Sequence, residues 1–65
     1  MDISLVIPAK DEEQSIPELT QWINRVMQTH GFSYEVIYID DGSTDGTWEQ
    51  IKKESATNPS IKGWP

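Results

Sequence analysis

The stretch of sequence that decides the fold is residues 35–47, which read EVIYIDDGSTDGT. Residues 36–39 are four β-branched or aromatic residues in a row, a pattern typical of a strand buried on both faces. The run stops at two adjacent carboxylates, Asp40 and Asp41, and a polar turn follows whose glycines permit a positive φ. We therefore expect both acids at the carboxyl end of a buried strand, where open α/β sheets bind their ligands.

Length and composition limit what the chain can be. A chain of 65 residues forms at most one small domain and buries only roughly 60% of its unfolded surface. It has no cysteine and one histidine, which excludes disulfides, thiolate metal sites and multi-histidine clusters. The net charge of −6 argues against nucleic-acid binding, which needs a basic face. We expect an incomplete domain, or a chain that completes itself as a homo-oligomer.

The start of the chain indicates its compartment. No signal peptide is visible, because Met1 is followed by the acidic Asp2 and the first apolar run ends at residue 8 or 9. No run approaches the ~20 apolar residues that a membrane helix needs. The chain is therefore expected to be cytoplasmic.

The hydrophobic pattern predicts two helices and two further strands around the central stretch. The first strand is expected to end at Pro8, because proline cannot donate to a central sheet ladder. The predicted elements are a strand over 3–7, a helix over 15–30, a strand over 36–39, a helix over 45–56 and the start of a third strand in 60–64. This β-α-β-α-(β) order predicts an α/β fold with parallel strands.

The first helix carries start and stop signals. Ser15 and Glu18 have the spacing of a capping box, and Gly31 is a C-terminal stop. Apolar residues recur at three- and four-residue spacing between these ends, which indicates an amphipathic helix. Trp22 belongs to that pattern and is expected in the core.

Acidic residues concentrate in the two loops that follow the strands. Parallel strands joined by a right-handed crossover bring residues 8–13 and 40–45 to one rim of the sheet. Such carboxylates could hold Mg²⁺ or Mn²⁺, accept hydrogen bonds from the N–H groups of a small molecule, or cap helices. Capping is favoured for Asp45 and is less natural for Asp40 and Asp41, which precede the turn.

Phosphate-binding glycine motifs are absent from the sequence. Carboxylates at close range would repel a diphosphate unless a cation lay between them. If the ligand is a nucleotide, the two loops should hold its base and ribose. The diphosphate and its metal should lie further off, with the main metal ligands elsewhere.

Two motifs resemble the signatures of family 2 glycosyltransferases. Residues 4–13, SLVIPAKDEE, are similar to the opening signature, and residues 40–47, DDGSTDGT, to the second. The resemblance implies a GT-A fold whose Rossmann-like half binds the nucleotide, with residues 1–65 as its N-terminal, nucleoside-binding portion. It also implies a parent enzyme that transfers a sugar from a nucleoside-diphosphate sugar to an acceptor such as polyprenyl phosphate or a polysaccharide. The dolichol- and polyprenyl-phosphate sugar transferases are the most similar subgroup.

The family pattern also implies which residues bind. Pro8, Lys10 and Glu12 would line the nucleoside pocket from the first loop. Asp41 would accept a hydrogen bond from the base, and Asp40 would support it. Lys10 stands where the family often has an aromatic residue, and a salt bridge from Lys10 to a neighbouring carboxylate is expected to replace the stacking contact.

The resemblance places the chemistry outside the chain. The family's metal-binding Asp-x-Asp and its catalytic base lie further along the fold, so no catalytic or metal-ligating residue is expected in residues 1–65. The parent enzyme would use Mg²⁺ or Mn²⁺ with its main ligands outside this chain. Association with the inner face of the membrane, through segments beyond Pro65, is left open.

Two other interpretations remain open. One is a magnesium-dependent, receiver-like phosphotransfer module in which an aspartate is phosphorylated. That module also needs a lysine and a hydroxyl residue from later strands, which the sequence lacks. The other is a non-catalytic fragment that self-associates through unpaired sheet edges.

Overall fold

The computed structural model describes residues 2–65 and contains a three-stranded sheet with two helices. The elements are β1 (Ile3–Ala9), α1 (Ser15–His30), β2 (Tyr34–Asp40), α2 (Thr47–Thr57) and β3 (Ile61–Trp64). The strand order is β1-β2-β3, and both neighbouring pairs are parallel. The predicted α/β class and the β-α-β-α-β order of a partial Rossmann-like domain are confirmed, including the third strand.

Both helices cover the same face of the sheet. The two crossovers step in the same direction across the sheet, and right-handed connections then put α1 and α2 on one side. Val36 and Tyr38 of β2 point to this side and are fully buried, as is Ile51 of α2. The core consists of Ala9, Ile16, Ile23, Met27, Tyr34, Val36, Tyr38, Ile51 and Ile61. Burial of these side chains supplies the main driving force for folding.

The opposite face of the sheet is uncovered by any element within residues 2–65. Val6, Ile39 and Trp64 lie on this face and are 60%, 38% and 61% exposed. The prediction that residues 36–39 form a strand buried on both faces is therefore wrong for this chain. A strand is buried on both faces only between two layers, and the described residues supply a single helical layer.

Pro8 does not end β1, which continues to Ala9. The prediction was wrong because it assumed a central strand. β1 lies at the edge of the described sheet, where one row of N–H groups has no ladder partner and proline is tolerated.

The start of α1 also differs from the prediction, whereas its end does not. Ser15 is the first helical residue, and the preceding Gln14 makes no side-chain capping bond, so the predicted capping box with Glu18 is wrong. The Ser15 N–H instead donates to the Glu12 carbonyl at 3.0 Å, which joins the helix start to the loop before it. The predicted stop is confirmed, because Gly31 has a φ of 72°.

Trp22 is 60% exposed, so its predicted place in the core is wrong. Successive residues point about 100° apart around the helix, and the neighbouring Ile23 is the residue that is buried. The three- and four-residue spacing fits either residue, so it does not decide between them.

Neither helix described here combines the length and the apolar character that crossing a lipid bilayer requires.

Candidate functional site

The two acidic loops meet at one rim of the sheet, as the topology predicts. Ala9 at the end of β1 is the register partner of Asp40 at the end of β2, so the loops leave the sheet side by side. The Asp41 N–H donates to the Ala9 carbonyl at 3.4 Å. We call residues 10–14 the first loop and residues 41–46 the second loop.

Carboxylates of the first loop bind backbone N–H groups of the second loop. Asp11 Oδ1 accepts from the Thr44 N–H at 2.9 Å and from the Thr44 hydroxyl at 3.3 Å. Glu13 Oε1 accepts from the Gly46 N–H at 2.9 Å. A Cβ at Gly46 would lie 2.8 Å from Glu13 Cδ, so glycine is needed there for close approach. The positive φ of this loop belongs to Gly42, at 75°.

Hydroxyl groups bind the first loop in return. The Asp11 N–H donates to Ser43 Oγ at 2.9 Å, and the Glu12 N–H donates to Thr47 Oγ1 at 2.8 Å. Asp11 has a φ of 52°, in the left-handed region that aspartate tolerates better than most residues. Thr47 is fully buried, so its hydroxyl is a fixed point between the loops and α2. Ser43 and Thr47 were not among the predicted site residues, although small hydroxyl residues beside strand-end acids are a usable signal.

Asp45 stabilises the start of α2. Its Oδ1 accepts from the Thr47 hydroxyl at 2.5 Å and from the Thr47 N–H at 2.9 Å. Its Oδ2 accepts from the Glu13 N–H at 3.4 Å. The hydrogen bond from the Thr47 hydroxyl is the main reason why the pKa of Asp45 is lowered. The N-cap of α2 is Gly46, so Asp45 is not itself the predicted cap; it lies one residue earlier and binds the first N–H group of the helix.

The two adjacent acids of the second signature differ in burial and in hydrogen bonding. Asp40 is buried, and its Oδ1 accepts from the Ser43 N–H at 3.0 Å, which shapes the turn. Asp41 is exposed, and its carboxylate receives no hydrogen bond from any residue within 2–65. Asp41 therefore has an exposed carboxylate, whereas the carboxylate of Asp40 is occupied within its own turn.

A cavity of about 230 Å³ opens beside the first loop, where β1 ends and α1 begins. Pro8 and Glu12 are among its lining residues, so two of the predicted binding residues share one cavity, and no residue of the second loop is part of that lining. Lys10 is exposed, and its predicted salt bridge is wrong. The ion pairs formed within the described part of the chain are Lys52–Glu49 and Lys62–Glu35. The loop carboxylates near Lys10 already accept hydrogen bonds from backbone N–H groups, which offsets the advantage of an exposed ion pair.

The loops do not form a metal site by themselves. Over residues 2–65, no three histidine, aspartate or glutamate side chains are grouped closely enough to hold a metal ion. Several carboxylates are already occupied as hydrogen-bond acceptors, namely those of Asp11, Glu13, Asp40 and Asp45. The residues described here therefore do not fit a complete Mg²⁺ or Mn²⁺ site, which needs several oxygen ligands.

Comparison with known proteins identifies relatives over nearly the whole chain. The model of the family described as "Glycosyl transferase family 2" matches residues 4–63. A dolichol-phosphate mannosyltransferase from Pyrococcus furiosus is 36% identical over 59 residues, which are 91% of this chain and 16% of that protein. An undecaprenyl-phosphate 4-deoxy-4-formamido-L-arabinose transferase from Aeromonas hydrophila subsp. hydrophila is 41% identical over 58 residues, 89% of this chain and 18% of that protein. The protein of the same name from Salmonella paratyphi B is 38% identical over 53 residues, 82% of this chain. The chain thus matches only 16% to 18% of the length of these relatives.

Proposed function

The chain belongs to glycosyl transferase family 2, and from this premise we propose that its two loops bind the nucleoside of a nucleoside-diphosphate sugar. The sugar would be transferred by a longer GT-A enzyme of which residues 1–65 form the N-terminal portion. The observation that carries the proposal is the meeting of both signature loops at one rim, where the Asp41 carboxylate is exposed. Pro8 and Glu12 line a cavity on the first-loop side of this rim. The family match does not favour the receiver-like alternative.

Each predicted binding residue has a chemical role in this proposal. Asp41 accepts hydrogen bonds from a base N–H, such as the imide of uracil or the Watson–Crick edge of guanine. Pro8 provides apolar contact, and Glu12 accepts from ribose hydroxyl groups. Lys10 is the only basic residue in either loop, so it is the group there that attracts the anionic diphosphate. Asp40 keeps the Asp41 turn in shape through its bond to the Ser43 N–H.

The metal belongs to the longer enzyme in this proposal. A bound Mg²⁺ or Mn²⁺ supplies Lewis-acid stabilisation of the diphosphate leaving group. Its main ligands are proposed outside this chain, since the residues described do not complete a site. The role of residues 2–65 is to bind and orient the nucleoside. The isolated chain should therefore bind nucleotides without catalysing sugar transfer.

The acceptor is proposed from the relatives. The names of the Pyrococcus and Aeromonas proteins give dolichol phosphate and undecaprenyl phosphate, which are both polyprenyl phosphates. We therefore propose a polyprenyl phosphate as acceptor, with the enzyme at the cytoplasmic face of the membrane where that lipid carrier is embedded.

A nucleotide titration of the ¹⁵N-labelled chain, followed by NMR, tests the binding role. UDP and GDP are added separately, with and without Mg²⁺, because the base is not specified by the loops. We expect saturable shifts confined to residues 8–12 and 40–43, with a Kd in the range of about 1 mM for so open a site. Asp41→Ala should raise Kd roughly tenfold, since it removes a charged hydrogen-bond acceptor.

Glu18→Ala is the matched control, because Glu18 is an exposed acid outside both loops and its loss changes the charge equally. It should leave the Kd within about twofold. Binding of neither nucleotide, or equal Kd values for Asp41→Ala and the unchanged chain, would contradict the proposed function.

Self-association is a second candidate, favoured by the uncovered sheet face. Val6, Ile39 and Trp64 are exposed apolar side chains on one surface, next to strand edges that have no partner within the described chain. Sedimentation velocity over a concentration series measures it directly. A monomer at all concentrations would remove this candidate and leave the nucleotide-binding proposal intact.

A further inference from the structure

Two carboxylates of the first loop have no part in the nucleoside contacts proposed above. Asp11 accepts two hydrogen bonds from Thr44, and Glu13 accepts one from Gly46. All three bonds join residues more than thirty positions apart, so they connect the loops rather than stabilise one turn. Charged acceptors make the stronger class of such bonds.

We infer that Asp11 and Glu13 are positioning residues, which hold the second loop so that the Asp41 carboxylate is already oriented for the nucleobase. This inference rests on the proposed function and adds the residues that fix the geometry of the site. Neither carboxylate needs to touch the nucleotide. Their contribution to affinity is indirect, because a loop that is ordered before binding does not lose that freedom on binding.

The positions of the bonds along the second loop support this assignment. At the start of the second loop, the Asp41 N–H donates to the Ala9 carbonyl at 3.4 Å. Towards the end of the second loop, the Thr44 N–H donates to Asp11 and the Gly46 N–H donates to Glu13, each at 2.9 Å. Exposed loops with few such bonds are usually mobile. Asp41 therefore lies in a segment that is fixed at both ends.

The backbone of each partner fits this role. Asp11 adopts a φ of 52°, and its own N–H donates to Ser43 Oγ at 2.9 Å, so the residue is bound on both its main chain and its side chain. Glu13 lies against Gly46 so closely that a Cβ there would be 2.9 Å from both carboxylate oxygens. The contact between Glu13 and residue 46 therefore depends on the absence of a side chain at 46.

The test separates the carboxylate from the backbone at each position. Asp11→Gly removes the carboxylate but accepts a positive φ, whereas Asp11→Asn keeps an oxygen acceptor. Glu13→Ala removes the second carboxylate, and Glu13→Gln keeps an acceptor. Gly46→Ala displaces the Glu13 carboxylate without changing any charge. Each variant is titrated with the nucleotide that binds the unchanged chain, and its Tm and the exchange rates of the Thr44 and Gly46 amides are measured.

We expect Asp11→Gly and Glu13→Ala to raise Kd about three- to tenfold and to speed exchange of the amide each one releases. Asp11→Asn and Glu13→Gln should restore most of the affinity. Gly46→Ala should match Glu13→Ala and add nothing to it in the double variant, because both remove the same contact. The Tm of these variants should fall only slightly, and the loss of affinity should not follow it from variant to variant, because opening of the loop does not unfold the core.

Three results would overturn the inference. Unchanged Kd in Asp11→Gly and Glu13→Ala would remove the positioning role while leaving the proposed function in place. Loss of affinity in proportion to loss of Tm, with no rescue by Asn or Gln, would indicate a purely structural role. If the unchanged chain binds no nucleotide, the proposed function fails as well, and faster amide exchange in the variants would then assign the contacts to loop stability alone.

Discussion

The two faces of the sheet are formed by the same strands, yet only one of them is buried. On β2, Val36 and Tyr38 are fully buried, whereas the next residue, Ile39, is 38% exposed. The uncovered face of β2 still carries the β-branched Ile37 and Ile39 beside Glu35, so residue type alone does not separate the two faces. The difference comes from the helices, which cover one side. Side chains on the covered face should therefore contribute most of the free energy of unfolding. Substitutions on the two faces can test this difference.

The largest effect is expected from truncating the core on the covered face. Ile51 is fully buried against the sheet, so Ile51→Ala should destabilise the chain by about 2–5 kcal/mol, enough to unfold a domain of this size. Val6→Ala on the uncovered face should change stability by less than about 0.5 kcal/mol. Urea unfolding followed by circular dichroism measures both. Similar losses for the two variants would show that the faces do not differ in the way their burial indicates.

A smaller effect is expected from adding volume to the covered face. A Cβ at Gly63 would collide with Ile51 Cγ2 and approach Trp48 Cζ3 at 3.1 Å. Gly63→Ala should therefore cost about 1–3 kcal/mol through overpacking. Trp64→Ala, one residue on but facing away from the helices, is the control and should be near neutral. The same urea titrations give the free energy of unfolding of both variants. An unchanged free energy of unfolding in Gly63→Ala would mean that β3 and α2 separate easily.

A buried pair of hydroxyl groups on the covered face gives a third prediction. The Tyr38 hydroxyl and Thr20 Oγ1 are 2.7 Å apart, and burial raises the pKa of Tyr38. Tyr38→Phe should cost about 1–2 kcal/mol, because the buried Thr20 hydroxyl loses its partner. The double variant Tyr38→Phe, Thr20→Val should recover part of that loss, since no unpaired group remains. Additive losses in this cycle would contradict the pairing.

The sequence predicted those parts of the fold that depend on local pattern and topology. The run at 36–39, the Gly31 stop and the meeting of both acidic loops at one rim follow from periodicity, glycine chemistry and the handedness of crossovers. Two features could not be predicted from the sequence. One is the direction in which Trp22 points, and the other is that one face of the sheet is uncovered. Both depend on which layers are present to cover a surface, and residue types along a strand or helix do not encode that.

The meeting place of the two loops was predictable, but the bonds between the loops were not. The strand-end acids marked the rim, yet a carboxylate in a loop can bind a ligand, a cation or a backbone N–H group. Asp11 and Glu13 bind N–H groups more than thirty residues away, a choice that only the relative position of the loops decides. Lys10 illustrates the same limit, since two neighbouring carboxylates, those of Asp11 and Glu13, already bind backbone N–H groups.

The smallest effect is expected on the uncovered face, where polar contacts replace packing. Glu35 accepts from the Ser4 hydroxyl at 2.8 Å and from Lys62 Nζ at 3.0 Å, and the Ser4 bond is the main cause that lowers the pKa of Glu35 from its ordinary value of 4.5. Because the folded-state pKa is the lower one, the contribution of Glu35 is present above pH 4.5 and is lost as the pH falls through the folded-state value.

Glu35→Gln keeps an oxygen for the Ser4 hydroxyl but no longer titrates. The Tm of the unchanged chain should exceed that of Glu35→Gln at neutral pH, and the difference should shrink as the pH falls below 4.5. Added salt should also reduce it, because Lys62 is exposed and its charge is screened. A Tm difference that stays constant with pH would mean that the carboxylate charge of Glu35 contributes nothing. The uncovered face would then lack even this polar contribution, and the contrast between the two faces would be complete.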